Sequence, residues 1–156
     1  MKKLFLLAVL LTACGTKPIH DRDFNFKYSF GVEDGRAENV LDSFHDSFTQ
    51  DRVVDSPLTV TLELTDEEIQ TVKDKIDELS LFKGEAPSDP SGIISISSPC
   101  FAYALEVKYG ATGGAATEWN CENNQGNRAL FVEFMNEFIQ AQEEFQALPE
   151  LKGGYM

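Results

Sequence analysis

From residue 24 to residue 30 apolar and polar side chains alternate, Phe24, Phe26, Tyr28 and Phe30 against Asn25, Lys27 and Ser29. That period of two predicts a strand with one buried face. Glu33-Asp34-Gly35-Arg36 reads as a turn, and Asp-Gly favours a two-residue hairpin loop. Parity argues for a different length. A loop at 34–35 sets Phe26 opposite Ser43, whereas one more residue brings Val40 and Phe44 onto the aromatic face. The pattern therefore predicts a three- or five-residue connection and a strand over about 38–50. Leu41, Phe44 and Phe48 within it also fit a helical stripe.

Leu58, Val60, Leu62 and Leu64 alternate with Thr59, Thr61 and Glu63 in the cleanest strand pattern of the chain. Thr65-Asp66-Glu67-Glu68 follows at once as a capping box, Thr65 at the N-cap and Glu68 three residues on. Ile69, Val72, Ile76 and Leu79 then give one apolar stripe, so a helix is expected over 66–80. Glu85 to Gly92 reads as a loop, Ile94 and Ile96 as a short strand stopped by Pro99. Phe101, Tyr103, Leu105, Val107 and Tyr109 alternate, Gly110 to Gly114 turns, and Thr117, Trp119 and Cys121 return. Leu130, Phe131, Phe134, Phe138, Ala141 and Phe145 mark a helix over about 127–146, ended by Leu148-Pro149. The order βββ-α-ββ-α predicts an α+β fold, an antiparallel sheet of about five strands with two amphipathic helices on one face.

The start of the chain has another character. Lys2 and Lys3 precede an uncharged apolar run from Leu4 to Ala13. As a helix that run is about 15 Å long, against about 30 Å of bilayer hydrocarbon, so it reads as a signal peptide rather than a span. It ends in Leu11-Thr12-Ala13-Cys14, which resembles the lipobox of bacterial lipoproteins. The resemblance implies a diacylglyceryl group on the Cys14 thiol and cleavage after Ala13. Each buried CH₂ contributes about 0.8 kcal/mol, so two or more acyl chains hold a protein on a membrane. Gly15, in place of the Asp that retains such proteins at the inner membrane, resembles an outer-membrane sorting signal where the source has one. The expected organisation is a signal peptide (1–13), a lipidated tether (14–23), a single α+β domain (24–149) and a tail (150–156). Leu-Asp-Ser-Phe at 41–44, Leu-Thr-Asp-Glu-Glu at 64–68, Trp119 in the late hairpin and Leu-Pro-Glu-Leu-Lys-Gly-Gly-Tyr at 148–155 are similar to a group of small bacterial lipoproteins. That resemblance implies no catalytic residue.

Charge narrows the partners. With Lys2 and Lys3 gone, the 13 basic residues fall to 11 against 26 acidic ones, and the formal net charge moves from −13 to −15. Such a chain disfavours nucleic acid and anionic lipid, and would steer a cationic partner. Cys100 and Cys121 remain once lipid takes Cys14, in a compartment that permits a disulfide. A bridge between them would contribute roughly 3 kcal/mol. A free thiol pair and a metal site are the alternatives, the latter poor because no His lies near. Cys100 is out of phase with Phe101 and Tyr103, so a bridge needs Cys100 to lie before the regular strand begins.

Candidate chemistry is thin. His20 falls in the tether. His45 lies between Ser43 and Ser47; in a strand these share a face, with Asp42 and Asp46 on the other, but no orienting acid or oxyanion loop is recognisable. Asp21, Asp23, Glu33, Asp34, Asp51 and Asp55 supply oxygens without the spacing of a calcium loop. Gly110 to Gly114 lacks the Lys and Ser/Thr of a phosphate loop. No cofactor or metal is expected. The expectation is a membrane-anchored envelope lipoprotein with a non-enzymatic binding or structural role. An inhibitor or binder of a cationic envelope protein such as a lysozyme-like hydrolase is the second reading, and an envelope hydrolase the third. Replacing Cys14 by Ser should abolish processing and move the protein out of the membrane fraction of the cell. A variant still processed and still membrane-bound in fractionation would refute lipidation at Cys14.

Overall fold

The structure, a computed structural model, describes residues 23–32, 37–52, 55–83, 100–111 and 113–150. The opening alternation folds as β1 (Phe24–Val32), with Phe24, Phe26 and Tyr28 buried on one face. β2 (Ala37–Asp42), β3 (Ser47–Arg52) and β4 (Asp55–Thr61) follow as an antiparallel meander. After α1 (Asp66–Glu78), β5 (Phe101–Tyr109) pairs with the free side of β1, and β6 (Gly113–Asn120) pairs with β5. The sheet has six antiparallel strands in the order β4-β3-β2-β1-β5-β6. α2 (Asn127–Gln140) and α3 (Glu143–Gln146) complete an α+β fold. The tether to residue 22, the Glu33–Arg36 turn, the Glu85–Gly92 loop, the Ile94–Ile96 strand and the tail beyond Glu150 lie outside the described residues.

Three expectations about the sheet are corrected. The stretch 38–50 is two strands, because a turn at 43–46, with Asp46 at φ 47°, breaks it. Asp is among the few residues that accept that left-handed conformation. The parity preferred from the aromatic pattern is also reversed: Leu41, not Val40, lies opposite Tyr28, and Ser43 donates its N–H to Phe26 O at 3.0 Å. Polar chemistry set this register. The buried Ser43 hydroxyl accepts from Phe26 N at 2.8 Å and lies 3.0 Å from Phe26 O, bonds that Phe44 could not make. Finally, the late hairpin turn is shorter than expected, since Gly113 and Gly114 already pair with Tyr109 and Lys108. A Cβ on Gly113 would lie 3.0 Å from Tyr109 O, a tight contact that the glycine avoids.

α1 follows its sequence signals closely. Thr65 accepts from Glu68 N at 3.2 Å, and Glu68 returns the bond by accepting from Thr65 N at 2.8 Å. At the other end Leu81 N reaches Ile76 O and Ser80 N reaches Asp77 O, closing a Schellman motif around Ser80 at φ 52°. Ile69, Val72, Ile76 and Leu79 are buried. The final helix breaks where one continuous helix was expected. Gln142 is extended and its side-chain amide donates to Phe138 O at 3.2 Å, capping the last turn of α2. The break lets Phe145 of α3 meet Phe48 edge-on at 5.5 Å. The buried stripe of α2 is Phe131, Val132, Met135 and Ile139, while Leu130 is 51% exposed, so the apolar face is rotated from the one its phenylalanines suggested.

Phe131 meets Tyr28 and Trp119 edge-on, tying α2 to the central and outer strands. Cys100 and Cys121 form a disulfide with their Cα atoms 5.3 Å apart. Both lie just outside the ladder, whose last β5–β6 pair is Ala102 with Asn120, which removes the phase conflict. Thr65→Ala should cost about 1 kcal/mol near neutral pH by orphaning the Glu68 N–H, measured by denaturant unfolding. The pH dependence has a definite sign. Burial alone would raise the Glu68 carboxyl, but bonds from Thr65 and Gln142 outweigh it and hold it below the ordinary glutamate value. Its stabilisation is thus complete above the unfolded value and lost as pH falls through the lower folded one, so the deficit of the variant should narrow in acid. A pH-independent deficit would refute the reciprocal cap.

Candidate functional site

Even-numbered residues of β1 and odd-numbered residues of β5 and β6 face the helices. The opposite face of the sheet carries no helix among the described residues. Antiparallel sheets tolerate this when the open side is polar, and here it carries Thr, Ser, Asn25, acidic and small residues together with Lys27, Lys108 and Val40. Thr49 and Thr59 join hydroxyls across β3 and β4 at 2.9 Å. Lys27 lies in register with Asp42 on one side and Glu106 on the other.

Towards the β5–β6 side the open face is hollowed. Ser29, Gly31, Ala102 and Ala104 are small and line a concave depression of about 510 Å³ whose rim includes Glu38 and Glu118. The register explains the hollow. Gly31 is opposite Glu38 on β2 and Ala102 on β5, and Ala104 is opposite Glu118 on β6. Each rim carboxylate therefore has a small cross-strand neighbour and stands beside open space. Asn120 and Asn123 add amides at the end of the depression. Tyr103 and Trp119, whose rings stack with centroids 5.6 Å apart, line the depression as well, as do Phe30 and Val32, and burial raises the Tyr103 phenol above its ordinary value. Trp119 donates its indole N–H to Asn124 at 3.2 Å, which fixes the chain leaving β6. Carboxylates accept hydrogen bonds and attract cations; small residues let a ligand approach the backbone. Such an arrangement can accept hydrogen bonds from a donor-rich, positively charged group.

The residues singled out in the sequence are placed as follows. Cys14, His20, Asp21, Glu33 and Asp34 lie outside the described residues. Ser43, His45 and Ser47 do not share a face, because the turn sends Ser43 into the core while His45 is exposed. The expected lack of an orienting acid is also corrected: Asp42 Oδ2 lies 2.8 Å from His45 Nδ1, and Asp42 Oδ1 accepts from Phe44 N. Asp42 is the last residue of β2, in register with Lys27 and Ser47, and also caps the turn that follows it. Asp51 is buried, and its N–H bonds Asn39 Oδ1. Asp55 pairs with Arg52 at 3.1 Å. Among the described residues no group of three or more His, Cys, Asp or Glu is placed to hold a metal ion, and no helix is long and apolar enough to cross a membrane.

Glu38, Glu118 and the small residues between them were not picked out from the sequence. The available signal was the alternation itself, since Ala102 and Ala104 occupy the polar phase of β5 where longer side chains are usual. Comparison with protein-family models, with curated proteins and with solved structures finds no match to this chain. His45→Ala removes one hydrogen bond between an exposed ring and Asp42 and should change unfolding free energy by less than about 0.5 kcal/mol. A larger loss in denaturant unfolding would show that the Asp42–His45 pair organises the turn.

Proposed function

We propose that this chain is a lipid-anchored envelope protein with a non-enzymatic binding role, and that its open sheet face takes a cationic envelope protein such as a lysozyme-like hydrolase. The observation that carries the reading is the depression on that face, floored by Gly31, Ala102 and Ala104 and rimmed by Glu38 and Glu118. A net charge of −13 over the chain adds a field that steers a basic partner towards it. The lipobox-like Leu11 to Cys14 supports the address, and the Cys100–Cys121 disulfide suits an oxidising compartment.

An envelope hydrolase is the second reading, favoured by the Asp42–His45 pair, which has the form of an oriented base. It lacks a nucleophile beside it: Ser43, the adjacent hydroxyl, is spent on Phe26, and no hydroxyl or thiol among the described residues bonds His45.

Full-length protein in detergent, immobilised through its C-terminus, should capture lysozyme at low ionic strength. Capture should fall at least about tenfold as salt shortens the screening length from about 10 Å to about 3 Å. The double variant Glu38→Lys, Glu118→Lys should lose at least about fivefold at low salt, since rim charges act on encounter. Capture indifferent to both salt and the double variant would refute the reading.

A further inference from the structure

We propose that the outer edge of β6 is the docking strand for an extended basic segment of the partner, which joins the sheet as a seventh strand. This rests on the reading of the open face as a cation-binding surface and names how the partner is held.

The two edges of the sheet are unlike. Exposed edges template further strands, and proteins blunt them with proline, charge or bulges. The β4 edge has all three: Pro57 within the strand, Asp55 at its start, and a register shift between Gln50 and Arg52 of the neighbouring β3. β6 has neither proline nor bulge, and its first residues are Gly113, Gly114, Ala115 and Ala116. Among the described residues it has a neighbour strand on one side only. Its single charge, Glu118, is the rim carboxylate of the open-face depression.

A hollow flanks β6 on each face. The depression on the open side reaches Glu118 and Asn120. On the helical side a second one, about 170 Å³, lies between Ala116 and Thr117 of the strand and Leu79, Phe82 and Arg128. Asn127 holds that side together by donating to Leu79 O at 2.9 Å, joining the start of α2 to the end of α1. Side chains of an added strand alternate between the two faces. Those on the open side meet Glu118. Those on the other side meet Leu79 and Phe82, where Arg128 repels a cation. The fitting segment therefore alternates basic and apolar residues over roughly the length of β6, with main-chain bonds giving affinity and the two hollows giving selectivity. A second copy of this chain does not fit, because two bodies each with a net charge of −13 would meet edge to edge.

The test uses the full-length chain in detergent and an eight-residue peptide alternating lysine and valine. The peptide should bind, and exchange of β6 backbone amides should slow at least tenfold in its presence. An analogue N-methylated at every residue keeps the charges but loses the N–H donors, and should bind at least tenfold more weakly, as should the parent peptide to Glu118→Lys. Equal binding of the methylated analogue, protection away from β6, or no binding would each overturn the edge. If the peptide fails while lysozyme is still captured in a salt-dependent way, the open-face reading stands without the edge; if both fail, both fall.

Discussion

The central strand carries the constraint on which the other elements depend. β1 hydrogen-bonds to β2 on one side and β5 on the other, so its register decides the face of every residue in both halves of the sheet. Two interactions lock it. Phe26 and Tyr28 are fully buried, Tyr28 against the edge of Phe131, and a Phe side chain so placed contributes about 1.5–3 kcal/mol. Ser43 holds both backbone groups of Phe26 with its hydroxyl and its own N–H. A slip by one residue would lose the Ser43 clamp and turn Phe26 and Tyr28 to water together.

Locking one face apolar leaves the other to whatever polar and small residues share those strands. The same pairing that buries Tyr28 beside Leu105 sets Gly31 beside Ala102 and Ala104 across from Glu118. The hollow and its carboxylates are thus a by-product of the core register, and its floor is part of the central sheet rather than of a loop. The disulfide strengthens this end, joining the residue before β5 to the residue after β6 just beyond the last ladder pair. A surface built on paired strands and fixed by a covalent link has little conformational entropy left to lose.

How much was legible differs from element to element. Local signals were sufficient for β1, whose strict alternation admits one period, and for α1, where Thr65, Glu68 and the Ile69–Leu79 stripe agree on start, face and end. The disulfide followed from cysteine arithmetic, and even its geometric condition, Cys100 outside the regular strand, holds. Elements with mixed signals were misread. Over 38–50 the apolar residues fit a strand and a helix alike, and the four-residue turn containing His45 has no Gly or Pro to mark it. In α2 the phenylalanines outweighed Met135 and Ile139 in the apparent stripe, although the latter fill the core.

By itself, then, the sequence determined the class of fold, the period and polarity of its clearest elements, the acidity of the surface and the cysteine pair, because these depend on neighbours within a few residues or on simple counts. Only the tertiary structure decided that β5 returns beside β1, that Ser43 rather than Phe44 faces the core, that Asp42 turns to His45, and that Glu38 and Glu118 flank one hollow from different strands. Glu38 and Glu118 are brought to one site by pairings between β2, β1, β5 and β6. Pairing of strands so distant in the chain is selected by the summed burial of a whole face, and no local pattern contains that sum.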